Sequence, residues 1–246
     1  MSNNSEKNWW EFYGIRYAQG TVIGAMIVYF LFSQNSNLKK LLFMPTEAKD
    51  FGVAHLTLLA IYGLTYCYIA SAPILVMHAG RALIFKSAVN PKPYKGASIR
   101  TLSLLTISIG IPAFLSSTNR ISNAETGALT AYLILVLLQL QIVTRIISGS
   151  WSIAITFYTA IIDKRKEPKH AEYIESYRHM REHGNSFLIV IFQMLLAVPL
   201  YILACSPELP ATTSTTNLFM IIFFWTVPAA FIWAYATKIE NNIQNL

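Results

Sequence analysis

Glu175, His179 and His183 fall at i, i+4 and i+8, which places them on one face of a helix. Two histidines at that spacing can chelate a divalent metal, and the carboxylate can supply a third ligand. The chain offers just one such pair among its five histidines. His55 lies at the far end of its own apolar stretch, and nothing in the spacing requires His78 or His170 to approach. A solvated amphipathic face, with Glu175 and His179 paired, explains the pattern without a metal. No metal or other cofactor is therefore assigned. A lipid-modifying metalloenzyme ranks third among the functional readings.

Arg145 is the second candidate. It is a strong charge flanked on both sides by apolar helix. Gln141 lies one turn earlier and Thr144 is adjacent, so Gln141, Thr144 and Arg145 form a polar stripe, while Gln139 points to a different face. Several subunits that lined a pore with Arg145 would favour anions. The alternative is an arginine that marks the cytoplasmic interface and reaches phosphate with its head while its stem stays apolar. About 20 residues are needed to cross the hydrocarbon core. Counting from Thr126 brings Arg145 close to that boundary.

The remaining chemistry is defined by what the sequence lacks. It contains no paired-aspartate lipid-phosphate motif, no Walker A loop, no Gly-x-Ser-x-Gly and no Ser–His pair at a common depth. No long apolar stretch holds an aspartate or glutamate. Proton-coupled carriers, sodium antiporters and ion-driven stators need a titratable group in the membrane field, so these are disfavoured. A neutral-lined facilitator or channel passes the same test.

Those stretches are the elements that must position any site. The chain is 54% hydrophobic and 13% charged, where soluble domains carry about 25% charged residues. Uncharged runs extend over Tyr17–Leu38, Phe51–Gly80, Thr101–Asn119, Thr126–Thr144, His183–Pro207 and Leu209–Thr237. Each is long enough, or nearly so, to span a bilayer. The expected fold is all-α: a polytopic helical bundle of about six transmembrane helices, forming one membrane domain over 1–246. No cleavable signal peptide is read at the polar start Met1–Ser5, so the first span would act as its own insertion signal. Cys67 and Cys205 fall at different depths, which disfavours a disulfide.

Basic loops set the threading. Arg81, Lys86, Lys92, Lys95 and Arg100 follow the second span. Lys164, Arg165, Lys166, Lys169, Arg178 and Arg181 follow the fourth. The loop after the third has Arg120 alone, and Ser206–Asn217 has no base. Lys39, Lys40 and Lys49 are a milder exception, offset in part by Glu47 and Asp50. Both termini are therefore expected in the cytoplasm, with a bacterial inner membrane as the expected location. Arg81, Lys86, Lys92, Lys95, Arg100, Lys164, Arg165 and Lys166 would meet anionic lipid. That contact accounts for the net charge of +7. Nucleic-acid binding is disfavoured, since no such motif is present and the bases lie beside spans. Trp9, Trp10, Phe12, Tyr13 and Tyr17 would anchor the first span in the headgroup layer.

The fourth apolar pattern does not stop at Arg145 but continues through Ile146–Ile162. A continuous helix from Thr126 to about Lys166 would be roughly 60 Å long and would project from the membrane. Pro168 permits a turn, and His170–His183 then reads as a return helix with charges at i,i+3 and i,i+4. Gly184-Asn185 would kink its junction with span five. The expectation is a cytoplasmic helical hairpin over 146–185 that extends spans four and five. Its apolar first arm needs cover, and a flat interfacial helix over 146–162 is the competing arrangement.

Gly20 and Gly24 form a GxxxG in the first span, the pattern that lets helices approach closely. Pro73, Pro112, Pro199 and Pro228 lie in four different spans, each removing a backbone bond. The favoured function is an oligomeric membrane-embedded sensor or scaffold. It would dock a cytosolic partner through the hairpin, with Glu175, Arg178, His179, Arg181, Glu182 and His183 as the partner face, and through the basic loops. The alternative is an oligomeric, anion-favouring channel gated by the hairpin. Membrane lipids and further copies of the chain are the other expected partners, and an enzymatic role is not favoured.

Overall fold

The computed structural model describes residues 4–45, 47–89, 95–148, 155–157, 159–160 and 171–244. Among these there is no strand. Helix α1 runs over Asn4–Ser33, α2 over Ser36–Leu41 and α3 over Val53–Val89. They are followed by α4 (Lys95–Ser117), α5 (Asn123–Ile147), α6 (Ala171–Leu203) and α7 (Ala211–Gln244). Among the described residues, six segments are long and apolar enough to cross a membrane: Gly14–Ser33, Val53–Arg81, Ile99–Ser117, Asn123–Ile147, Gly184–Leu203 and Ala211–Lys238. Large apolar side chains such as Met26, Leu102, Phe114, Phe187 and Phe219 stand exposed along them. Water would penalise that surface, whereas hydrocarbon would not.

The chain divides into two compact units, Met1–Ser71 with Glu182–Phe223, and Ala72–Arg181 with Phe224–Leu246. In the first unit, α1, the start of α3 and α6 meet through small residues. A Cβ on Gly20 would collide with Cys67 Sγ, and one on Gly24 would collide with the Gly63 carbonyl. Leu31, Cys67, Leu196 and Leu200 are buried in this unit. Asn35 ties the α1–α2 corner to the α6–α7 connection. Its Oδ1 accepts from the Asn37 and Leu38 amides at 3.0 and 3.2 Å, capping α2. Its Nδ2 donates to the Ser206 carbonyl at 3.1 Å.

In the second unit, α5 is the central element. It begins with a capping box in which Ser122 and Glu125 satisfy each other's backbone N–H. Its buried positions are Ala128, Tyr132, Val136, Gln139, Val143 and Ile146, a stripe at four- and three-residue steps. Tyr132 stacks on Trp225 of α7, with ring centroids 6.2 Å apart. Val143 and Ile146 join Val76, Leu83, Ala229 and Ile232 in one core cluster.

Two sequence expectations meet the structure differently at the spans' ends. Instead of continuing from Thr126 to about Lys166, the helix stops at Ile147. Ser148 is the C-cap, and its amide donates to the Thr144 carbonyl. Ser148-Gly149-Ser150 in the sequence is the terminating signal, since glycine just past a helix end favours closure. Residues 155–157 and 159–160 are again helical. The rest of 149–170 lies outside the described residues, and with it most of the first arm of the expected hairpin. At the other arm, α6 runs unbroken through Gly184-Asn185.

Candidate functional site

The stripe expected on α5 takes shape as a junction. Gln141 is half-buried and its Nε2 donates to Thr101 Oγ1 on α4 at 3.1 Å. Thr144 is exposed, and its hydroxyl turns back to the Gln141 carbonyl at 3.0 Å. Arg145 is half-buried at the same end of the helix. Of the three, Gln141 is the one shown to meet α4. Gln139 occupies the other side, in the buried row, at 2% exposure. Neither Nε2 nor Oε1 of Gln139 has a hydrogen-bond partner. An amide buried this way carries a desolvation cost of about 1–3 kcal/mol.

The other predicted positions divide by location. Arg81 is half-buried near the end of its span and Arg100 is exposed at the start of α4. Lys86 and Lys95 lie on α3 and α4. Glu175, Arg178, His179, Arg181, Glu182 and His183 all lie on the first part of α6, before the apolar segment that starts at Gly184. Lys92, Lys164, Lys166 and Arg165 lie outside the described residues. Gly20 and Gly24 sit at the crossing of α1 with α3 described above.

The first unit contains a polar site that the sequence reading missed. Gln193 is fully buried in α6. Its Nε2 donates to the Gly20 carbonyl at 2.8 Å, and Tyr66 OH donates to the Gln193 carbonyl at 2.7 Å. Its Oε1 has no partner. At one end of the same unit, Arg16 is 7% exposed and its Nε donates to Ser186 Oγ at 3.1 Å. The signal in the sequence was a single glutamine inside the most apolar span. It went unread because one glutamine makes no spacing pattern.

Among the described residues, no group of three His, Cys, Asp or Glu side chains gathers as a metal site. Cys67 and Cys205 are free and buried. The Gln141–Thr101 junction and the Gln193 site are built from hydrogen bonds of neutral amides and hydroxyls. Comparison with protein-family models, with curated proteins and with solved structures gives no match.

Proposed function

We propose that the chain is a multi-pass membrane protein with both termini in the cytoplasm, and that it assembles with further copies as a sensor or scaffold. It docks a cytosolic protein through the segment 146–185 and the basic loops. The observation that carries this reading is the form of α6. The apolar segment begins at Gly184, yet the helix begins at Ala171 and runs on without a break. The added turns hold Glu172, Glu175, Arg178, Arg181 and Glu182. A charged stem thus grows directly out of a span. Helix α3 likewise continues past Arg81 to Val89. By the order of the spans, both extensions fall on the side where the basic loops lie, which the charge rule makes cytoplasmic. That bias also suits a bacterial inner membrane.

An anion-favouring pore draws on the Gln141–Arg145 stripe. The Gln141 amide is committed to Thr101, so the scaffold is the better-supported reading. Purification in mild detergent tests it. The full chain retrieves a stoichiometric cytosolic protein, and the chain lacking Ala171–Arg181 does not. Recovery of the chain without a partner in both cases would sink the proposal. The particle mass in detergent reads the oligomer independently.

A further inference from the structure

Phe43 closes α2 in a backbone conformation that suits glycine. Its amide donates to the Lys40 carbonyl at 3.1 Å, and the Met44 amide donates to the Lys39 carbonyl at 3.2 Å. These two bonds form a Schellman closure, with Phe43 at the position that turns left-handed. Its φ is 54°, a region where a bulky side chain crowds the backbone. Packing inside the chain does little to offset that strain, since Phe43 is 75% exposed. Its neighbours turn the other way. Leu42 and Met44 are half-buried and line one crevice with Val28 and Phe32 of α1. The Tyr62 hydroxyl of α3 donates to the Leu42 carbonyl at 3.2 Å. The corner is thus fixed to α1 and α3 while Phe43 stands outward. Leu41 and Lys40, just before it, are also exposed.

The level of this corner identifies what meets it. Helix α2 starts at Ser36, just after the apolar segment Gly14–Ser33. Asn35 holds the Ser206 carbonyl, just past the end of Gly184–Leu203. Tyr29 packs edge-on against Phe51 with ring centroids 5.8 Å apart, just before Val53–Arg81 begins. Three apolar segments therefore end around α2, and in a bilayer that is the depth of the headgroups. In water, the strain at Phe43 and its exposed ring would both go uncompensated. At headgroup depth the ring reaches the acyl boundary, and a lysine beside it reaches phosphate. From Ser33 to Pro45 the chain holds Lys39 and Lys40 and no acid, a charge that suits phosphate.

We propose that Leu41 and Phe43 anchor the α1–α2 corner in the leaflet away from the basic loops. They enter the acyl boundary, and Lys40 holds the phosphate of a phospholipid headgroup. The anchor keeps the outer end of α1 at headgroup level. The inference rests on the membrane placement proposed above and is independent of any cytosolic partner.

Spin labelling of the full chain in vesicles of equimolar phosphatidylcholine and phosphatidylglycerol tests it. Flotation with the vesicles reads insertion, and its failure overturns the membrane reading and the anchor together. Cys67 and Cys205 are fully buried, so a nitroxide attaches at an added cysteine. At Phe43→Cys, oxygen dissolved in the lipid relaxes the label several-fold more, relative to an aqueous nickel chelate, than at Ser36→Cys. Ser36 is exposed on the side of α2 that carries Lys40. Equal ratios at the two positions, in vesicles that float, overturn the anchor and leave the membrane reading standing. Lys40→Glu in the Phe43→Cys chain is expected to lower the ratio, and an unchanged ratio overturns the phosphate contact. A label shielded from both reagents and dipole-coupled to a second label assigns the corner to a second copy and overturns the lipid. Should Phe43→Cys fail to fold, Leu41→Cys carries the same expectation and the same refutation.

Discussion

Gly24 of α1 and Gly63 of α3 meet backbone to backbone. A Cβ on Gly24 would collide with the Gly63 carbonyl, and a Cβ on Gly63 would collide with the Thr21 carbonyl and the Ala25 amide. Neither obstacle is a flexible side chain that can swing aside. Gly63→Ala must therefore push α1 and α3 apart. Overpacking of this kind costs about 1–3 kcal/mol, read as a lower unfolding midpoint in detergent. Gly110→Ala is the control. Nothing lies within 4 Å of a Cβ there, and helix propensity alone favours alanine by about 0.5–1 kcal/mol. If both substitutions behave alike, close packing at Gly63 is not what holds this unit together.

Gln139 makes the opposite prediction. Its amide is buried with both polar atoms unpartnered, beside Val136 and Val143 in the α5 row. Leucine has nearly the same volume and nothing to desolvate. Gln139→Leu is expected to stabilise the chain by about 1–2 kcal/mol. A lower midpoint would mean that the amide has a partner in the working protein, and would move functional interest from the arginines to Gln139.

Asn35 separates a cap from a tie. Its Oδ1 caps α2, and its Nδ2 holds the Ser206 carbonyl. Asn35→Ala removes both, at a cost of about 2 kcal/mol from a lost cap and a lost buried hydrogen bond. Asn35→Ser keeps an oxygen that can cap α2 and gives up the reach to Ser206 without burying a charge, so its cost is expected to be smaller. Equal costs would show that the cap contributes nothing measurable.

The spans were legible because crossing hydrocarbon needs a long run without charge, and runs such as Thr126–Thr144 leave no other reading. The ends were less legible. Extension of α5 past Arg145 was inferred from apolar residues alone, although Ser148-Gly149-Ser150 carried the stop signal. The Ser122–Glu125 capping box was equally visible and was not read. Helix pairing was the least legible. Gly20 and Gly24 mark a close contact in sequence, but their partners Cys67 and Gly63 lie more than a span away. A lone Gln193 announces no face at all. Arg145 was found at once, yet the contacts beside it were not, because Thr101 meets Gln141 and Gly80 meets Ile142 only through tertiary packing.

Orientation can be read chemically because the native thiols are hidden. Cys67 and Cys205 are both fully buried, so neither reacts with a bulky maleimide while the fold holds. A single added cysteine then reports its own side of the membrane without removing the native pair. Thr118 is exposed after α4, on the side with few bases, and Asn241 is exposed near the end of α7. In intact cells an impermeant maleimide is expected to label Thr118→Cys and to spare Asn241→Cys, with both labelled once the membrane is opened. Labelling of Asn241→Cys alone would invert the threading. It would also place Arg81, Arg100 and Arg145 at the outer face, where the cytoplasmic partner proposed for α6 could not reach its stem.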